Sequence, residues 1–150
     1  MTRRTILVSN RLPVTASVEN GVLQVERSVG GLATGLSGAT RNSHTIWIGW
    51  AGPLSGISRR QIAELNARLT ALDCVPVPLS SREIREYYEE VSNGILWPVF
   101  HYQAERIPPD PRHWSTYAAV NARFAQAVAD VWKPGDEIWV HDYQLLLLPA

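Results

Sequence analysis

The sequence predicts an α/β protein built on a Rossmann-like, largely parallel sheet. Three observations carry that reading. Short apolar runs, Ile6-Leu7-Val8 and Ile138-Trp139-Val140, mark strands, the first with the β-branched content of a central strand buried on both faces. Segments with apolar residues at helical spacing alternate with such runs, which is the order of a parallel sheet with crossover helices. Polar residues follow the runs at once (Ser9-Asn10-Arg11, His141-Asp142), at the strand ends where open α/β sheets bind ligands.

The first strand covers 5–9, with Asn10 and Arg11 at its carboxyl end. Between 12 and 29, Asn20-Gly21 separates two alternating runs and marks a two-residue hairpin. Its polar outer residues make 15–29 an exposed flap. Gly30 opens a helix to about residue 40, where Leu32, Ala33, Leu36 and Ala39 recur at helical spacing. The second strand, 45–52, ends in Gly49-Trp50-Ala51-Gly52. Ser58 caps a helix over 58–71 whose face carries Ile62, Leu65, Leu69 and Leu72. A short Pro-bounded strand covers 73–80. Ser80 or Ser81 then caps a helix that ends or bends near Asn93-Gly94. Pro108, Pro109 and Pro111 make a rigid loop before a long helix over 113–131, with Tyr117, Val120, Phe124, Val128 and Val131 on one face. A turn at Lys133-Pro134-Gly135-Asp136 leads into a strand over 137–143, and Gln144 starts another helix.

The 150 residues are 45% apolar and 19% charged, enough for a globular domain with a real core. Fourteen basic residues balance 14 acidic ones, so bulk charge draws the chain to neither nucleic acid nor a membrane surface. No run approaches membrane-spanning length, and no signal-peptide pattern follows Met1-Thr2-Arg3-Arg4. The single cysteine, Cys74, excludes an internal disulfide and reads as a buried thiol in a reducing cytoplasm. LLLLP at 145–149 carries no stop signal, so the chain reads as part of a longer protein.

Arg11 and the Gly30-Gly31 pair point to an anion. Glycines let backbone approach a ligand, a helix start aims free N–H groups at it, and a guanidinium supplies charge; the simplest such ligand is phosphate. Taken singly, GGxxxG equally serves helix packing, and an arginine after a strand equally sits on the surface. Asp142 falls at the same sheet edge as Arg11 and either accepts hydrogen bonds from sugar hydroxyls or pairs with a cation. His141 either donates to a phosphate or sugar oxygen or orients a backbone group. No second His or Cys stands near it at ligand spacing, so no metal site is expected. Tyr87, Tyr88, Trp97, Phe100, His101 and Tyr102 crowd into 16 residues, as core or as the walls of a sugar pocket.

SNRLPV (9–14), GGLATGL (30–36), WIGWAG (47–52), EYYEEVSNGILWPVFHY (86–102) and WVHDYQLLLLP (139–149) together resemble the trehalose-6-phosphate synthases of glycosyltransferase family 20. These are retaining glucosyltransferases with the two-domain GT-B fold. The resemblance implies that residues 1–150 are the truncated N-terminal, acceptor-side domain, without the donor-binding domain. It implies glucose transfer from UDP-glucose to the anomeric oxygen of glucose 6-phosphate, with release of UDP. Carried over, Arg11 binds the acceptor phosphate, Tyr88 and Trp97 line the acceptor pocket, and Asp142 holds acceptor hydroxyls as the catalytic-site carboxylate. Gly30 and Gly31 sit against the donor pyrophosphate, and Trp50 or Trp47 closes the acceptor pocket. No metal and no cofactor are implied. The partners are the two small-molecule substrates, with no nucleic acid and no membrane, in the cytoplasm; self-association of the full-length protein is left open.

The chain departs from the family at Gln144, where many members carry a second histidine, and it stops at Ala150, before the residues that grip UDP-glucose. The isolated 150 residues are therefore expected to lack catalysis. Two other readings stay beside this one: a related transferase such as a glucosylglycerol-phosphate synthase, and a non-catalytic homologue that binds sugar phosphates for regulation. A dehydrogenase domain is disfavoured because no GxGxxG follows the first strand. An appended phosphatase domain is left open.

Overall fold

β1 (Thr5–Arg11) is the strand on which the two halves of the core meet. The computed structural model describes residues 4–28, 44–54 and 56–150; the helix expected over 30–40, with Gly30 and Gly31, lies outside them. Among the described residues β5 (Cys74–Pro76), β4 (Thr45–Trp50), β1 and β6 (Glu137–Val140) form a sheet in that order, every pair parallel. The alternation of side chains along β1 assigns each residue to a layer. Ile6 and Val8 are buried with Ile48, Tyr87, Tyr117 and Phe124; Leu7, between them, is buried with Trp47, Leu65 and Leu69 on the other side.

β2 (Val14–Glu19) and β3 (Val22–Arg27) form the hairpin the sequence predicts. Asn20 and Gly21 both take positive φ, 51° and 76°, as a two-residue turn of this kind requires. The expectation of an exposed flap holds for one face only. Val14, Ala16 and Leu23 are buried against Leu7 and Leu12, because the period of two that puts polar residues outside puts these inside.

α1 (Arg59–Thr70) starts at Ser58, whose hydroxyl accepts from the Gln61 N–H while the Gln61 side chain reaches back to the Ser58 N–H. Leu65 and Leu69 are buried, but Ile62 and Leu72, expected on the same face, are 43% and 53% exposed. A second capping box, Ser80 with Glu83, opens α2 (Ser81–Glu83). The chain then runs through Asn93-Gly94 without stopping, as a π-helix over Ile84–Leu96 followed by α3 (Trp97–Phe100). The expected break is replaced by wider winding: the Trp97 N–H reaches the Ser92 carbonyl five residues back, and the Ser92 hydroxyl donates to the Tyr87 carbonyl at 2.8 Å.

α4 (Trp114–Val131) lies where periodicity puts it, with Tyr117, Val120, Phe124 and Val128 buried. Two expectations near the end of the chain are corrected. β6 stops at Val140 rather than 143, and a single 3-10 turn (Tyr143–Leu145) replaces the helix expected from Gln144. Side chains of α4 partner the amides of this turn instead: Leu146 N–H donates to the Tyr117 hydroxyl and Leu147 N–H to Asn121 Oδ1, both at 3.2 Å. Among the described residues, no helix is long and apolar enough to cross a membrane.

Candidate active site

The carboxyl ends of β1, β4 and β6 converge, and each delivers one of the side chains singled out above. At the end of β1, pairing with β4 slips between Val8 and Arg11, a bulge that re-aims the side chains past it. Ser9, buried, pins the slip: its hydroxyl donates to the Arg11 carbonyl and accepts from the Trp47 indole N–H, both at 2.7 Å. Leu12 N–H then closes on the Trp50 carbonyl at 3.0 Å. The strands approach so closely that a Cβ on Gly49 would stand 2.7 Å from the Leu12 nitrogen and 2.8 Å from the Arg11 carbonyl carbon. Only glycine fits there. The outcome is an exposed Arg11 guanidinium held 4.8 Å over the ring of Trp50, a cation–π pair that restrains the arginine while no hydrogen bond among the described residues occupies its N–H groups, which suit an anion.

At the end of β6 the ladder finishes with His141 N–H on the Val8 carbonyl at 2.8 Å. Asp142 follows with φ 75° and ψ 168°, a backbone region occupied almost only by glycine. Its Oδ1 accepts the Tyr143 N–H at 2.8 Å, and His141 Nε2 stands 4.0 Å from Oδ2. Asp142 borders a recess of about 510 Å³ shared with Phe100, Val140 and Tyr143.

The π-helix lies across both ends. Tyr87 is fully buried, and its hydroxyl donates to Asn10 Oδ1 at 3.1 Å, beside Arg11. Burial pushes that phenol well above its ordinary range, so it stays a neutral donor. Asn93 Oδ1 accepts the Tyr143 hydroxyl at 2.9 Å. The Tyr143 phenol is also raised, chiefly by burial, then by the neighbouring Asp142 charge and by Tyr88. Tyr88 itself is half-buried against the core. Further along, Glu86 braces the π-helix on α4: it accepts from Thr116 Oγ1 at 2.6 Å and from Arg82 Nε at 2.7 Å, bonds that hold its carboxyl below the usual range.

The structure therefore groups the expected residues unevenly. Arg11 and Trp50 form one cluster, while Asp142, Tyr143, Asn93 and Tyr88 form a second beside it. Trp97 stands apart: its ring stacks on His101 at 3.9 Å, with the Arg106 guanidinium 5.8 Å from it. No hydrogen bond or ring contact among the described residues joins it to Arg11 or Asp142. Of the two tryptophans offered for closing the pocket, Trp50 stands beside Arg11, whereas Trp47 is buried in the layer with Leu7 and Leu65 and donates its indole N–H to Ser9. Asn10 stands at the β1 end where the sequence placed it; Asn93 and Tyr143 complete the site without having been read from the sequence as site residues. Their one signal was Asn93-Gly94 inside a helical pattern, which reads as a terminator when only local chemistry is weighed. Among the described residues no group of three or more His, Cys, Asp or Glu could hold a metal ion.

The model of the family described as Glycosyltransferase family 20 matches residues 3–150. An alpha,alpha-trehalose-phosphate synthase (UDP-forming) A of Dictyostelium discoideum is 43% identical over 97% of this chain, and the chain spans 20% of that relative's length. The crystal structure of an alpha,alpha-trehalose-phosphate synthase (UDP-forming) from Burkholderia vietnamiensis matches with a TM-score of 0.69 and 31% identity, over 99% of this chain and 29% of that one. A Burkholderia xenovorans synthase in complex with glucose-6-phosphate matches with a TM-score of 0.63 and 26% identity, over 95% of this chain and 28% of that one. Matched by the family model over nearly its whole length, the chain belongs to glycosyltransferase family 20.

Proposed function

We propose that the protein carrying this chain is a retaining glucosyltransferase that makes trehalose 6-phosphate from UDP-glucose and glucose 6-phosphate, and that these residues supply its acceptor side. The observation that carries the reading is the pairing of opposite chemistry on neighbouring strand ends. Arg11 at the end of β1 offers a restrained guanidinium with no ion pair among the described residues, and Asp142 just beyond β6 offers a carboxylate. A sugar phosphate has the complement: a dianion at one end and hydroxyl donors at the other. Arg11 takes the phosphate, Asp142 accepts from acceptor hydroxyls, and the half-buried Tyr88 ring lies against the sugar. Trp97 forms the outer wall, with Arg106 near its ring as a further cation. Gly30 and Gly31 meet the donor pyrophosphate by family resemblance.

The chemistry asked of these groups is binding and alignment. The acceptor oxygen attacks the anomeric carbon from the face that the UDP leaves, so configuration is retained and no protein nucleophile takes part. Holding the acceptor in register with the donor supplies the rate gain on this side. Positive side chains and helix ends, rather than a metal, stabilise the departing UDP in this reading. A lone thiol, buried and raised to about 11 by that burial, fits a cytoplasmic setting. The glucosylglycerol-phosphate alternative is not favoured, given the relatives named above.

The test is UDP release by the intact protein carrying this chain, given UDP-glucose with and without glucose 6-phosphate, in EDTA. Release that requires glucose 6-phosphate and survives EDTA is expected. Absence of release with glucose 6-phosphate still bound overturns the transferase and leaves a regulatory sugar-phosphate binder. Release abolished by EDTA overturns the metal-free mechanism.

A further inference from the structure

Asp142 holds a conformation reserved almost entirely for glycine, and such a residue persists only when its surroundings over-determine it. No ladder does so, because β6 has already ended. What fixes it is the next residue. Tyr143 is tied at three points: its N–H to the Asp142 carboxylate, its carbonyl by the Tyr117 hydroxyl at 2.7 Å, and its own hydroxyl to Asn93 at 2.9 Å. Tyr117 is fully buried on α4, and its oxygen also accepts the Leu146 N–H. One turn on, buried Asn121 donates to the Gln144 carbonyl at 3.1 Å. These side chains satisfy backbone groups of an irregular turn that apolar packing would leave buried and unpaired. Their satisfied geometry is directed at the stretch that follows Asp142.

We propose that Tyr117 and Asn93 are positioning residues for the Asp142 carboxylate, gripping Tyr143 from α4 and from the π-helix, and that they thereby set acceptor affinity. The inference rests on reading Asp142 as an acceptor ligand. Glucose 6-phosphate binding to the intact protein carrying this chain is measured by calorimetry for Tyr117→Phe and Asn93→Ala, alone and combined with Asp142→Asn. Tyr117→Phe keeps the ring between Trp114 and Tyr87 and removes one oxygen; Asn93 is exposed, so its truncation tests the same grip should the buried change fail to fold. Each single variant is expected to weaken binding by about tenfold, the effect of one or two lost hydrogen bonds. In the Asp142→Asn background the same changes are expected to add less than about twofold. Unchanged affinity in the single variants overturns the proposal. An equal loss with and without Asp142 overturns it too, since a merely structural role moves both. Failure of the unaltered protein to bind glucose 6-phosphate instead removes the functional reading beneath it.

Discussion

The ends of β1 and β6 lie side by side, yet they are held by opposite means. Arg11 is positioned chiefly by backbone: a slipped ladder pinned by the Ser9 hydroxyl, the Leu12 to Trp50 hydrogen bond, and a glycine that lets two strands nearly touch. Asp142 is positioned by side chains reaching from two helices onto an irregular turn. The lesson is about tolerance. A site half built of main chain fails through sterics, whereas one built of side chains fails through lost alignment.

Two measurements separate the two ends, and a third tests the helices packed beside them. The largest effect is expected at Gly49→Ala, whose methyl meets Leu12 and Arg11 backbone that has no rotamer to retreat into. Denaturant unfolding should show a loss of about 3 kcal/mol, the upper range for overpacking; a loss below about 1 kcal/mol would mean that the β1 end is as adaptable as the β6 end. Next is the strain at Asp142. Both Asp142→Gly and Asp142→Ala remove the carboxylate, but only glycine suits φ 75°. The glycine variant should be more stable than the alanine variant by about 2 kcal/mol in the same assay. Equal stabilities would mean that the backbone relaxes once the side chain is gone.

The smallest effect concerns the brace between the π-helix and α4. Glu83, at the foot of the π-helix, is held at about 2 by its hydrogen bond to Arg123, assisted by Ser80. A depressed carboxylate contributes stability above its ordinary value of 4.5, and that contribution is lost as pH falls through about 2. The thermal midpoint of the unaltered chain should therefore fall across this window. Glu83→Gln should fall less steeply there, while losing under about 1 kcal/mol at neutral pH because the pair is partly exposed. Parallel pH profiles would show that Glu83 is not the titrating brace.

The same contrast explains what the sequence made legible. Arg11 could be placed because Ile6-Leu7-Val8 marks a buried strand and the chemistry follows within three residues. The hairpin turn at Asn20-Gly21 and the caps at Ser58 and Ser80 were equally local. The early stop of β6, the missing helix after Gln144 and the through-running π-helix were not. Each is decided by a partner far along the chain: Tyr117 and Asn121 lie more than 20 residues before the amides they capture, and Asn93 lies 50 residues from Tyr143. Local propensity from Gln144 onward favours a helix, and nothing in that stretch reveals that α4 partners its backbone groups instead. Asp142 was found by its position after a strand, but its strain was not, since aspartate gives no sign of a glycine-like backbone.

The π-helix also acts as a phase shifter. Its wide winding takes up residues without changing direction, so the azimuth of everything beyond it depends on how many residues it contains. A residue of the π winding turns the chain by somewhat less than an α-helical residue's rotation of about 100°, because each hydrogen bond spans one residue more. Deleting a single residue between Ile84 and Ser92 would therefore turn Asn93 away from Tyr143 and swing Trp97 to another side of the helix, with every remaining side chain intact. Substitutions at its exposed positions, Arg85, Glu89 and Glu90, leave that azimuth alone. In this segment the length of the chain, more than its composition, is what the neighbouring site constrains.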